Sequence, residues 1–264
     1  MGWMFLGIFM LVSMIGCCMG FKRFVWFLAL GYGISIALLG ASYLVSLGIM
    51  HSIDWIVIVQ CLLLMVYGVR LASFQWKRDH NKDFAKAKER SDSGDSMNIF
   101  MKILIWVVCA ALYIMQTCPV FYRGYNGRTG NIVMPVIGTV VMALGLIIES
   151  AADKQKQAQK KENPGKVAMG GLFKISRCPN YFGEILFWTG VILSGFGSLK
   201  GAGQWIVAVL GWVCIVYIMV DGAKRLDIRQ EKTYGEDPEY RAYADHTPII
   251  IPLIPVYHLG KEKK

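Results

Sequence analysis

The 264-residue chain lacks the standard motifs of soluble enzymes. It contains no P-loop, no G-x-S-x-G, no H-E-x-x-H and no G-x-G-x-x-G after a strand pattern. Its four histidines are scattered, and its seven cysteines form no C-x-x-C pair. These absences argue against a disulfide framework and a zinc site. We therefore expect no metal, and we interpret most of the cysteines as small apolar packing residues.

Charge is also scarce. Only 17% of the residues are charged and 55% are hydrophobic, with a mean hydropathy of +0.44. A soluble domain has an apolar share of roughly 45–50% even when glycine is counted, so the composition predicts an all-α polytopic membrane protein. A helix needs about 20 apolar residues to cross the hydrocarbon layer. Seven stretches meet this need, near 2–20, 24–50, 55–75, 99–118, 131–150, 183–199 and 203–221.

The first stretch has no basic residue before Lys22 and no small-residue cleavage site in a polar context, so we interpret it as a retained helix rather than a signal peptide. The pattern predicts no soluble domain, and residues 1–264 are expected to form one integral membrane domain.

The basic residues segregate by loop. If the N-terminus lies outside, 25 of the 28 lysines and arginines fall on one side, and only Arg123, Arg128 and Lys200 fall on the other. This asymmetry matches the positive-inside rule and predicts seven spans with the N-terminus out and the C-terminus in. The net charge of +10 therefore does not indicate a nucleic-acid partner, because the cations form no continuous stripe.

Three excursions are predicted on the cytoplasmic side, over 75–98, 151–182 and 222–264. The first is a mixed-sign run, typical of a solvated loop or surface helix. The third ends in an apolar tail, Pro248–Tyr257, that proline interrupts and that is too short to span. We expect this tail to pack against the helices or the membrane interface.

The second excursion extends the fifth span. Glu149, Asp153, Lys156 and Lys160 recur at spacings of three and four, so they share one helical face. Asn163-Pro164-Gly165 then predicts the end of the helix. The face could form the wall of a site for a charged ligand, or it could be a solvated extension that satisfies the positive-inside rule.

Cations and amides converge on this predicted cytoplasmic face. They are Lys156, Lys160, Arg177, Asn180, Arg225 and Arg229. Arginine and lysine match phosphate oxygens, so an anionic cofactor is reasonable here, although anionic lipid headgroups would be attracted as well. Tyr181 and Tyr243 could offer aromatic faces or hydroxyls to a nucleotide.

In the third span, Tyr67 and Arg70 lie about one helical turn apart. They could take part in a site. The alternative is an interfacial tyrosine followed by a snorkelling arginine.

Residues 171–188 read G-L-F-x-x-S-R-x-P-N-Y-F-G-E-x-x-x-W, preceded by A-D-x-Q-K over 152–156 and followed by Y-G-x-x-P-x-Y-R-x-Y over 234–243. This series resembles the steroid 5-alpha-reductase family, in particular the bacterial, DUF1295-like branch that shares its C-terminal domain. The resemblance is most specific over 170–188 and weak in the first two spans.

The resemblance implies a seven-helix membrane oxidoreductase that binds NADPH from the cytoplasm and saturates the C=C bond of a lipophilic enone, such as a 3-oxo-Δ4-steroid. It also implies residue roles. Tyr67 would hydrogen-bond the substrate ketone and stabilise the charge that develops on its oxygen. The cofactor would be bound by Asp153, Lys156, Lys160, Arg177, Asn180, Tyr181, Glu184, Arg70, Arg225, Arg229 and Tyr243.

Two departures from the family pattern stand out. Cys178 occupies a position where many relatives carry histidine, and spans one to three contain no glutamate to stand beside Tyr67. Only Asp54 is acidic there, and it falls at the opposite end of the span. The residues therefore support the implied NADPH binding better than the implied steroid substrate.

Two other functions stay open. Isoprenylcysteine and phospholipid methyltransferases share an Arg-x-Pro-x-Tyr-x-Gly loop and use S-adenosylmethionine, and a non-enzymatic lipid-binding protein would also present basic loops. If the protein is the reductase, we expect it to be a monomer. We expect it in a bacterial inner membrane rather than in the endoplasmic reticulum. Its substrate would belong to lipid metabolism and would enter from the bilayer. Membrane lipids are the other expected partner.

Overall fold

A computed structural model describes residues 2–80, 97–127 and 132–260. In these ranges the chain is helical and contains no β-strand, which confirms the all-α prediction. The α-helices are α1 Gly2–Cys17, α2 Val25–Leu28, α3 Leu30–Ile49, α4 Trp55–His80, α5 Ile99–Tyr125, α6 Val133–Glu162, α7 Pro179–Ser194, α8 Gly201–Tyr234 and α9 Pro238–His246. Short 3₁₀ turns occupy Cys18–Phe21 and Gly171–Lys174.

Six segments are long and apolar enough to cross a membrane. They are Met4–Phe21, Val25–Ile49, Trp55–His80, Ile99–Tyr125, Val133–Glu162 and Gly201–Tyr234. The seventh predicted span, 183–199, is not found as such. It falls on α7, whose 16 residues cover about 24 Å against a hydrocarbon thickness of about 30 Å. The segment after Ser194 leaves the helical conformation at Gly197, where φ is +79°.

The chain divides into two compact units. The first comprises Met1–Thr139 and Val191–Trp212, and the second comprises Val140–Gly190 and Val213–Lys264. Of the predicted excursion 75–98, α4 includes the part up to His80, and residues 81–96 lie outside the described residues.

In the first unit, α3 and α4 cross at glycines. A Cβ on Gly33 would lie 2.7 Å from the carbonyl oxygen of Gly68, and one on Gly40 would lie 2.9 Å from that of Cys61. Such close approach is available only to residues without a side chain, which is how small residues join helices in membranes. Gly48, further along α3, makes no such contact with the described residues.

In the second unit, α6 and α7 approach each other in the same way. A Cβ on Gly145 would lie 2.5 Å from the backbone nitrogen of Phe187, and one on Gly183 would lie 2.6 Å from that of Glu149. This crossing fixes the polar end of α6 beside the start of α7. Helix α6 ends at Glu162, directly before Asn163-Pro164-Gly165, as the sequence predicted.

The C-terminal tail packs within the second unit. Ile249 and Ile250 are buried in a cluster with Cys178, Ala223 and Leu226. The expectation that Pro248–Tyr257 folds back onto the protein is therefore confirmed for the base of this tail.

Candidate functional site

Two glutamines of α6 form hydrogen bonds with the backbone of the loop that leads into α7. The Gln155 Oε1 accepts a hydrogen bond from the backbone N–H of Leu172 at 2.8 Å, and the Gln159 Oε1 accepts one from Gly170 at 2.7 Å. Gly171 between them has a φ of +63°, a conformation that favours glycine. Sequence reasoning missed the role of Gln159, because an amide on a polar helix face gives no signal of the loop it will bind.

Arg177 lies at the centre of a buried hydrogen-bond network. Its Nη2 donates to the Asp227 Oδ1 at 2.8 Å and to the Tyr240 hydroxyl at 3.0 Å, and its Nη1 donates to the carbonyl of Tyr257 at 2.9 Å. The backbone N–H of Arg177 donates to the carbonyl of Pro248 at 2.8 Å. Arg177 was predicted among the phosphate ligands, and that role stays a prediction. Its guanidinium connects the loop before α7 with α8, α9 and the tail.

The sequence did not indicate Asp227 or Tyr240 as partners of Arg177. The other oxygen of Asp227 accepts from the backbone N–H groups of Leu259 at 2.9 Å and Gly260 at 3.2 Å. Burial raises the pKa of Tyr240 to about 12, while the charge of Arg177 acts in the opposite direction. Asp227 stands in a run of charged residues, so its burial could not be distinguished from a solvated position.

Two more predicted ligands are engaged inside the protein. The Tyr243 hydroxyl donates to the carbonyl of Phe173 at 2.7 Å, and burial raises its pKa well above the ordinary value. The Lys160 ammonium donates to the carbonyl of Lys166 at 2.5 Å and to the Tyr234 hydroxyl at 3.3 Å. Both side chains hold the loop between α6 and α7.

Lys156 and Arg229 differ from these residues. Lys156 is half-buried on α6 and lies within electrostatic range of Asp153, Cys178 and Arg229. Within the described ranges, neither the Lys156 ammonium nor the Arg229 guanidinium has a hydrogen-bond or ion-pair partner. Two like charges thus lie near each other without a direct hydrogen bond or ion pair, although Asp153 is within electrostatic range of Lys156, and such an arrangement can accept an anion.

The first turn of α7 adds to this positive region. Tyr181 lies within electrostatic range of Arg229 and Arg225, and its ring is 3.5 Å from the position a Cβ would take on Gly222 of α8. Asn180 precedes it and is half-buried. Because the first N–H groups of a helix have no intrahelical acceptor, they carry the positive end of the helix dipole.

The remaining predicted ligands lie around this turn. Asp153 and Glu184 are buried, and each interacts with other groups of the protein. Arg225 is largely exposed and forms an ion pair with Asp221 on the same helix. Together with Lys156, Asn180, Tyr181 and Arg229, these residues are all part of the second unit, so the structure brings most of the predicted set into one compact region.

Cys178 is buried just before α7. Burial raises the pKa of its thiol to about 12, although Lys156 and Arg177 oppose the shift. The thiol is therefore neutral near pH 7 and is not an activated nucleophile. Among the residues that the structure describes, no three His, Cys, Asp or Glu side chains are grouped as metal ligands.

Tyr67 and Arg70 belong to the first unit. Tyr67 is fully buried, and its hydroxyl donates to the hydroxyl of Tyr32 at 3.1 Å. The ring of Tyr32 lies 4.8 Å from that of Tyr113, centroid to centroid, and the Tyr113 hydroxyl donates to the carbonyl of Phe27 at 2.7 Å. Sequence reasoning found Tyr67 but missed Tyr32 and Tyr113, which lie far away along the chain.

Over the described residues, the protein is all-helical, with several helices apolar enough to cross a membrane and a charged region formed by α6, α8 and the start of α7. A family model described as a protein of unknown function (DUF1295) matches residues 19–247. The chain therefore belongs to the DUF1295 family.

Curated relatives match shorter parts of the chain. Steroid 5-alpha-reductase DET2 of Gossypium hirsutum is 42% identical over 55 residues, 20% of this chain and 21% of the relative. The protein of the same name from Arabidopsis thaliana is 44% identical over 57 residues, 21% of this chain and 22% of the relative. An uncharacterised protein of Schizosaccharomyces pombe is 28% identical over 111 residues, 42% and 37% of the two chains. The chain thus matches about a fifth of the length of the curated reductases. No solved structure matches it.

Proposed function

We propose that the protein is an NADPH-dependent membrane reductase that saturates the C=C bond of a lipophilic enone, a 3-oxo-Δ4-steroid or a steroid-like lipid. The family and the partial matches to two steroid 5-alpha-reductases support the reaction class. The observation that carries the cofactor assignment is the pair Lys156 and Arg229, two neighbouring cations without ion-pair partners in the described chain, beside the first turn of α7.

These residues fit a dinucleotide phosphate. Lys156 and Arg229 would bind phosphate oxygens, and the N–H groups at the start of α7 would add hydrogen bonds to the same anion. Each charge-assisted hydrogen bond contributes about 1.5–3 kcal/mol. The Asn180 amide and the carboxylates of Asp153 and Glu184 would bind hydroxyl and amide groups of the cofactor.

Arg177, Lys160 and Tyr243 have a supporting role in this proposal. Their hydrogen bonds fix the loop and the tail around α7, so the first turn of that helix is held before any ligand arrives. Preorganised donors lose less entropy on binding than mobile ones.

The bound cofactor would supply a hydride to the β carbon of the enone, and a proton taken up from water at the α carbon would complete the saturation. Tyr67 would donate a hydrogen bond to the ketone oxygen as negative charge develops there. Its hydroxyl now donates to Tyr32, so it would turn its proton towards the substrate while Tyr32 donates to its oxygen in return. A donor that itself accepts a hydrogen bond is strengthened, which offers a neutral alternative to a neighbouring glutamate.

Ligand-dependent melting of the purified protein tests this proposal. At a ligand concentration 100 times the Kd, binding stabilises the folded state by about 2.7 kcal/mol. We expect NADPH to raise the melting temperature, S-adenosylmethionine to leave it unchanged, and lipophilic enones to stimulate NADPH oxidation. A response to S-adenosylmethionine alone would favour the methyltransferase. Indifference to both ligands would contradict the proposal and favour a non-enzymatic lipid-binding protein.

A further inference from the structure

The end of the chain carries an exposed apolar loop, residues 251–256, which we name the tail loop. Leu253 at its tip is 97% exposed, and Ile251, Ile254 and Val256 are each 42–46% exposed. Each Å² of apolar side-chain surface left in water costs about 25 cal/mol of free energy. Four of them in six residues therefore indicate an apolar partner.

The tail loop is held firmly at both ends. On one side, the Ser176 hydroxyl donates to the carbonyl of Ile250 at 2.7 Å. On the other, Arg177 donates to the carbonyl of Tyr257, and the N–H of Ile249 donates to the carbonyl of Val256 at 2.8 Å. The exposure of the tip is thus a property of a fixed loop and not of a loose chain end.

The base of the loop lies at a defined level of α8. Ile249 and Ile250 pack on Ala223 and Leu226, whereas the apolar stretch of α8 ends at 221. With a rise of 1.5 Å per residue, these contacts lie roughly 3–8 Å beyond that stretch. The headgroup layer on each side of a bilayer is about 5–8 Å thick. For an α8 whose apolar stretch spans the hydrocarbon layer along the bilayer normal, the loop base would lie at headgroup level.

The surroundings of the loop also match a membrane interface. Ile228 is exposed on α8 and lies against Gly260, and Tyr217 and Val220 expose apolar surface lower on the same helix. Lys174 and Lys224 are exposed near this level. An apolar face flanked by basic residues is typical of elements that insert about 5–10 Å into the headgroup and acyl boundary.

We propose that the tail loop inserts into the lipid headgroup and acyl boundary on its own side of the membrane, with Leu253 as the deepest residue. A second copy of the chain is a poorer occupant, because a stable interface needs about 800 Å² from each partner and the loop offers four side chains at a narrow tip. The proposal is independent of the reductase reaction, so either can fail alone.

Photo-crosslinking in lipid nanodiscs tests this inference. A diazirine amino acid replaces Leu253 in the full chain, in bilayers of phosphatidylcholine and phosphatidylglycerol, and adducts are identified by mass spectrometry. The matched control carries the same group at Glu236, an exposed polar position outside the loop. We expect lipid adducts at position 253 at least tenfold above those at 236. The proposal would be overturned if the diazirine groups at positions 253 and 236 reacted equally and mainly with water. It would also be overturned if the group at position 253 crosslinked to a second copy of the chain.

Discussion

The region around Tyr67 in the first unit and the region around Arg177 in the second unit satisfy their buried polar groups in different ways, although the first unit also contains the ion pair of Arg123 and Asp54 at 3.1 Å. In the first unit, tyrosines pair as neutral groups: Tyr67 with Tyr32, and Tyr43 with Thr117 at 2.7 Å. In the second unit, a buried ion pair between Arg177 and Asp227 organises the structure, while Lys156 and Arg229 make no hydrogen bond or ion pair through their charged groups within the described ranges. Under the proposed function, the neutral pairs would face an uncharged lipophilic substrate and the two cations would face an anionic cofactor.

Removing the central ion pair should have the largest effect. Arg177→Ala would leave Asp227 buried without its main partner, which costs about 3–5 kcal/mol. We expect a severe loss of folded protein, measured as thermal melting and yield in detergent. The control is Arg241→Ala, whose ion pair with Glu231 at 3.4 Å is partly exposed and contributes less than about 1 kcal/mol. Similar losses in the two variants would refute the central role of Arg177.

Tyr67→Phe tests the neutral side of the comparison. Losing one preorganised donor to a developing oxyanion lowers kcat by about 10²–10³. Tyr43→Phe is the matched control, because Tyr43 is also a fully buried tyrosine of the first unit with one hydroxyl partner. We expect NADPH oxidation with an enone to fall in the first variant and not in the second. Full activity of Tyr67→Phe would exclude this residue as the ketone donor.

Lys156→Ala tests the charged side. One lost charge-assisted hydrogen bond of about 1.5–3 kcal/mol corresponds to roughly a 10- to 100-fold weaker Kd for NADPH. Folding should be unaffected, because no described residue is paired with the Lys156 ammonium. Lys154→Ala, an exposed lysine on the same helix, should bind as wild type in calorimetry. Equal affinity of both variants would remove Lys156 from the site.

Cys178 should produce a small effect at alkaline pH. Its folded-state pKa of about 12 lies above the ordinary 9.0. The neutral thiol therefore contributes stability that is complete below pH 9 and is lost as the pH rises towards 12. Cys178→Ala should flatten this decline in melting temperature relative to Cys18→Ala, which removes an exposed thiol. Parallel pH curves for the two variants would show that the thiol does not titrate in this way.

Local patterns in the sequence predicted much of the fold. Apolar stretches located six long helices, and Asn163-Pro164-Gly165 located the end of α6. The seventh stretch was wrong as a span because apolar composition continues past Ser194, whereas α7 ends at that residue and Gly197 adopts a φ of +79°. The composition of a segment indicates whether it lies in lipid or in water. The backbone conformation of its residues determines where a helix ends.

Local patterns identified candidate residues that the structure brings into one unit, but they did not identify the long-range partners of those residues. Spacing on α6 and the loop before α7 identified Lys156 and Asn180, which lie in the charged region of the second unit. The assignment of Arg177 to phosphate stays a prediction, but the sequence could not show that Asp227, fifty residues later, lies 2.8 Å from its guanidinium. Long-range partners such as Tyr32 for Tyr67 were missed for the same reason.

The most direct test of the dinucleotide site is protection of individual lysines from chemical acetylation, read by mass spectrometry with and without saturating NADPH. Lys156 and Lys154 are on the same helix and serve as probe and internal control. We predict that NADPH lowers the reactivity of Lys156 severalfold and leaves Lys154 unchanged. Unaltered reactivity of Lys156 while NADPH is demonstrably bound would contradict the assignment of the cofactor to this region.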